Sequence, residues 1–116
     1  MLTESRTINV LGADIRIQFR NEKQDKSLEK CDGYYDESEN LIVVKIPEAD
    51  VMSLGNLEEY QKKVLRHEIV HAFLHESGLS INSAPSDSWA TNEEMVDWLA
   101  IQIPKISKVL REQRLM

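Results

Sequence analysis

From Arg6 to Arg20 apolar and polar residues alternate, with Ile8 and Val10 in one run and Ile15, Ile17 and Phe19 in the next. A period of two is that of a strand with one buried face, and Gly12-Ala13-Asp14 between the runs is a turn signal, so the stretch predicts a β-hairpin. Asn21 to Lys30 is polar and charged and predicts a loop, with at most a short helical turn around Ser27 to Lys30. Tyr34-Tyr35 and Leu41 to Ile46 are β-prone runs separated by Asp36-Glu37-Ser38-Glu39-Asn40, a second hairpin that stops at Pro47. The first half thus predicts a small, mainly antiparallel sheet.

The period then changes. Asn56 with Glu59 three residues on has the form of a capping box, and Leu57, Tyr60, Val64, His67, His71 and Leu74 recur at helical spacing. This helix is expected to run to about Ser77, with Gly78 placed to take the left-handed conformation that ends it. A loop follows from Leu79 to Ala90, after which Thr91 and Glu94 form a second capping-box pattern. Val96, Leu99, Ala100, Ile103, Ile106 and Leu110 continue one apolar stripe across Pro104, predicting either one helix kinked there or two in near-continuity. Strands followed by helices make the fold class α+β.

With 116 residues, 41% of them apolar, the chain can build one modest core, and residues 1–116 read as one domain. A formal net charge of -6 argues against a nucleic-acid partner, because backbone affinity comes from clustered Lys and Arg. The basic residues, among them Lys62, Lys63 and Arg66, are expected on solvated helix faces. No apolar stretch approaches the roughly 20 residues that span a bilayer, so no membrane association is expected. The single cysteine, Cys31, excludes an internal disulfide and reads as a half-buried structural thiol; with no basic-plus-apolar leader at the N-terminus, cytoplasmic residence is expected.

His67-Glu68-Ile69-Val70-His71 is an H-E-x-x-H sequence within the first helix. Four residues advance about 400° and ~6 Å along a helix, so both imidazoles leave one face and can meet a single Zn²⁺. Glu68 lies about 100° round from His67, off that seat but within reach of a reacting water, where it would serve as general base. Two neighbouring core histidines without metal or partner would cost desolvation energy. A third ligand should come from another element, with a fourth position left open. His75 lies ~12 Å along the axis from His67, too far for one ion, and fits better as a helix-end residue facing the dipole.

Downstream stands Asn92-Glu93-Glu94-Met95-Val96-Asp97. H-E-x-x-H followed by N-E-x-x-x-D resembles the gluzincin zinc peptidases, and among small proteins the ImmA/IrrE-like metallopeptidases of phages and mobile elements. The resemblance covers Val64 to roughly Pro104, and implies a zincin-like fold, Glu93 as third ligand and Asp97 as hydrogen-bond partner of His67. Residues four apart share a helix face, and ligating histidines usually give their other N–H to a carboxylate or carbonyl, which suits both roles. Glu94 stays open as an alternative to Glu93. The longer metzincin motif fails, since it needs glycine where Leu74 stands and histidine where Ser77 stands.

The implied activity is zinc-dependent hydrolysis of a peptide bond in a peptide or protein substrate, by a narrow-specificity cytosolic endopeptidase acting on a regulatory protein. The alternative is a zinc-stabilised, non-catalytic protein-binding module on the same scaffold. Tyr34, Tyr35, Tyr60 and Arg66 are candidates for holding an oxyanion, each equally open to a packing or surface role. The resemblance implies that the strand from Leu41 to Ile46, or its hairpin partner, receives an extended substrate, a role equally open to a central core strand. Trp98 is expected to pack the second helix against the sheet.

Overall fold

The computed structural model describes residues 1–48, 54–82 and 88–116. Strands β1 (Arg6–Val10) and β2 (Ala13–Arg20) form the first hairpin, with Val10 opposite Ala13. Its turn is Leu11-Gly12, at φ 52° and 96°, one step earlier than the expected Gly12 to Asp14. Positive φ at both central residues gives a twist that matches the flanking strands. Asn9 Oδ1 accepts from Gly12 N–H at 3.1 Å and stiffens the loop.

β3 (Gly33–Asp36) and β4 (Leu41–Lys45) form the second hairpin, and a 3₁₀ turn at Lys26–Glu29 precedes it. The sheet order is β1-β2-β4-β3. β4 therefore lies inside the sheet, pairing antiparallel with β3 and parallel with β2, so the sheet is mixed. The cause is Leu41-Ile42-Val43-Val44, four consecutive buried residues. A strand apolar on both faces is stable only with a neighbour on each side and cover above and below. On one face Ile42 and Val44 join Ile15, Ile17 and Phe19 against Val64, Leu65 and Ala72. On the other, Leu41 and Val43 are covered by Leu28 of the 3₁₀ turn.

Helix α1 (Leu54–Glu76) lies across the first of these faces. Asn56 is inside the helix rather than its cap. At the other end Gly78 takes φ 84°, and Ser80 N–H reaches back to Leu74 O at 3.1 Å, satisfying an orphan carbonyl. Helix α2 (Glu93–Glu112) is capped by Asn92, whose Oδ1 accepts from Met95 N–H at 2.8 Å, one residue later than the expected Thr91. α2 runs antiparallel to α1, since Glu93 meets His71, Asp97 meets Lys63 and His67, and Ala100 meets Arg66.

One helix continues through Pro104. A proline offers no N–H to the carbonyl four residues back, and that carbonyl, Ala100 O, accepts instead from Arg66 Nε at 2.6 Å. Arg66 thus pins the helices together where the ladder lacks a rung. Trp98 does not pack against the sheet but stands 54% exposed, and Cys31 is exposed rather than half-buried, its Sγ 3.3 Å from Ser27 O. Among the described residues no helix is long and apolar enough to cross a membrane.

Candidate metal centre

The central turns of α1 present His67 and His71 on one side, and the capped start of α2 brings Glu93 to them. His67 Nε2 and His71 Nε2 are 3.2 Å apart. Glu93 spans the pair, with Oε1 2.6 Å from His71 Nε2 and Oε2 3.6 Å from His67 Nε2. One ligand atom from each of the three lies within 4.8 Å of the others. A tetrahedral zinc site with bonds of ~2.0–2.1 Å separates its donors by ~3.3–3.4 Å, a value these distances bracket. Two imidazole nitrogens and a carboxylate also form a donor set that zinc accepts, so the residues fit the ion.

Electrostatics divides the roles. Burial holds the His71 pKa below its usual value, favouring the neutral imidazole a metal requires. Asp97 Oδ1 stands 3.4 Å from His67 Nδ1, the nitrogen on the far side of the ring from His71. Lys63 Nζ sits 2.8 Å from the same oxygen, and its hydrogen bond is the largest influence keeping Asp97 ionised. Glu68 is buried at the base of the site, and burial first, then the charge of Glu93, pushes its pKa up to about 7. A carboxyl balanced near neutrality can both take and return a proton.

The site opens on two sides. A cleft of about 360 Å³ is bordered by Tyr35, Glu37, Glu68, His71, His75 and Glu93, and another of about 210 Å³ by Asp32, Tyr60, Lys63, His67, Glu68 and Asp97. Gly33, on the edge strand β3, borders both. A Cβ there would stand 2.8 Å from Val64 Cγ1 and 3.0 Å from Val43 O. Only a glycine lets the edge strand lie this close to α1 beside Glu68.

Glu94 is exposed and outside the three-residue group, which leaves Glu93 as the carboxylate facing the histidines. His75, in the last turn of α1, is outside the three-residue group and meets Glu37 Oε2 at 3.0 Å, with its ring edge-on to Tyr35. Of the oxyanion candidates, Tyr34 donates to Asp25 Oδ2 at 2.5 Å, Tyr60 donates to Asp32, and Arg66 is held by Ala100 O and Glu59. The Tyr35 hydroxyl is buried and has no hydrogen-bond partner among the described residues.

Two residues escaped the sequence reading. Lys63 lies one helical turn before His67, a spacing that points to it, but its place among charged neighbours reads equally as solvated surface. Gly33 carried no signal beyond being a lone glycine at the start of a β-prone run. Comparison with protein-family models, curated proteins and solved structures found no match.

Proposed function

We propose that this chain is a zinc-dependent peptidase of the gluzincin type, with a zincin-like fold, in which His67, His71 and Glu93 hold the metal and Glu68 is the general base. The observation that carries the reading is the convergence of three donor atoms within 4.8 Å beside the buried carboxyl of Glu68. Zinc bound there would polarise a peptide carbonyl and acidify water. Glu68 takes the proton of the attacking water and returns it to the departing amine. Asp97, steadied by Lys63, orients the His67 ring through Nδ1.

The edge strand β3 suits an extended substrate, since it has an unpaired side among the described residues and passes between both clefts. β4, the other sequence candidate, is interior and has no edge to offer. By analogy with the resembled peptidases, a peptide main chain lying along β3 would cross Gly33 opposite Glu68. The small clefts fit an enzyme of narrow specificity acting on one regulatory protein. A zinc-stabilised binding module is favoured by one observation, that Tyr34, Tyr60 and Arg66 are all engaged elsewhere.

Glu68→Gln separates the two readings, because it nearly preserves volume and removes the proton acceptor. A cleavage product formed in host lysate by wild type and absent with Glu68→Gln supports the peptidase. Equal capture of one partner by both forms, with no cleavage, replaces it with the binding module.

A further inference from the structure

Among the described residues two buried side-chain polar atoms have no hydrogen-bond partner, Tyr35 Oη and His75 Nδ1. Both residues border the larger cleft, their rings edge-on with centroids 5.9 Å apart. A buried polar atom left unpaired costs free energy, so two orphans on one cleft mark a place where a polar group of a ligand belongs. Glu37, on the same cleft, brings Oε2 to 3.0 Å from His75 Nδ1 without the alignment of a hydrogen bond.

The charges around this pair are of one sign. Burial first, then the charges of Glu76, Glu37 and Asp36, push the Tyr35 pKa up to about 12, so the phenol keeps its proton and Oη offers its lone pairs. In the tautomer protonated at Nε2, His75 Nδ1 is an acceptor as well. Among the described residues no Lys or Arg borders the cleft. Of its other acids, Glu93 faces the histidines and Glu68 lies at the base of the metal seat, which leaves Glu37 as the carboxylate open to a ligand. Three acceptors, one of them anionic, call for a positive group with several N–H donors.

We propose that this cleft is a substrate subsite for a basic side chain, in which Tyr35, His75 and Glu37 receive the guanidinium of an arginine or the ammonium of a lysine. The guanidinium fits better, since its planar fork carries five N–H donors and its faces stack on aromatic rings. The place of the subsite in the reaction rests on the peptidase reading. Gly33 and Tyr35 are two apart on β3, share a face and are separated by about 7 Å, so the basic residue falls about two positions from the peptide bond that crosses Gly33.

Blocked six-residue peptides, identical but for one central arginine, lysine or citrulline, are titrated against purified Glu68→Gln protein, which keeps them intact, and followed by NMR. The ring resonances of Tyr35 and His75 should shift, and arginine should bind at least about tenfold more tightly than citrulline, which keeps the shape and loses the charge. Whichever of arginine and lysine binds more tightly names the substrate residue. Glu37→Gln should erase the preference and Tyr35→Phe should weaken it. Glu39→Gln, an equal change of charge two residues away and off the cleft, should leave it. Equal affinity for arginine and citrulline, a preference that survives Glu37→Gln, or rings that stay unshifted at about 10 mM peptide overturns the proposal. Cleavage by wild type is read separately. Binding with this preference but no cleavage, here or in lysate, removes the peptidase and keeps the subsite, whereas cleavage indifferent to the basic residue keeps the peptidase and removes the subsite.

Discussion

Asp97 Oδ1 lies 3.4 Å from His67 Nδ1 while the opposite ring nitrogen, Nε2, faces His71 at 3.2 Å. The carboxylate fixes which nitrogen carries the proton and leaves Nε2 free to bind. Asp97→Ala should therefore lower zinc affinity about 10- to 100-fold while leaving the fold in place, because such partners set ring orientation and basicity. Competition against a zinc chelator measures this, and unchanged affinity would remove Asp97 from the site.

Glu93 bridges both histidines, whereas Glu94 points to solvent and His75 turns to Glu37. Purified protein should carry close to one equivalent of zinc by elemental analysis. Glu93→Ala should lose most of it, and Glu94→Ala and His75→Ala should retain it. Zinc content that survives Glu93→Ala would end the three-ligand assignment.

Without metal, Glu68 makes stability depend on pH. Its pKa is about 7 in the folded protein against an ordinary 4.5, chiefly through burial, so between those values the folded form holds a proton that the unfolded chain has released. Stability then falls as pH rises through that window, by on the order of 3 kcal/mol in full. In chelator, urea melts at about pH 5 and about pH 8 should show Glu68→Gln gaining on wild type only at the higher pH. An advantage that does not change with pH would show that the carboxyl does not titrate there. His71, whose lowered pKa acts in the opposite direction, is common to both proteins and cancels in the comparison.

A methyl group on Gly33 has no room beside Val64 and the Val43 carbonyl. Gly33→Ala should cost about 1–3 kcal/mol, the usual range for overpacking. In a Val64→Ala background the penalty should shrink, since the closest clashing atom is gone. Additive effects in denaturant titrations of the four proteins would show that the strand moves away from α1 rather than pressing on it.

Much of this architecture was legible in the residues, because local rules act over a few positions. The alternation from Ile8 to Phe19 marks strands with one buried face, helical spacing marks α1 and α2, and Gly78 marks the end of α1 through its positive φ. Spacing within one helix placed His67 and His71 together, since a helix converts sequence interval directly into direction. Caps and turns were harder, because neighbours such as Thr91 and Asn92 compete for one role and only the path of the incoming chain chooses between them.

The rest depended on contacts between distant segments. That β4 lies inside the sheet and parallel to β2 follows from burying both faces of Leu41 to Val44, one under α1 and the other under Leu28. The choice of Glu93 over Glu94 depends on the rotation of α2 against α1, set by Val96 and Ala100 in the core and by Arg66 on the carbonyl that Pro104 leaves free. Neighbouring glutamates differ by 100° around a helix, and no local pattern says which faces inward. Side-chain spacing is determined along one element, whereas the meeting of two elements is decided by which packing buries the most apolar surface with every polar group satisfied.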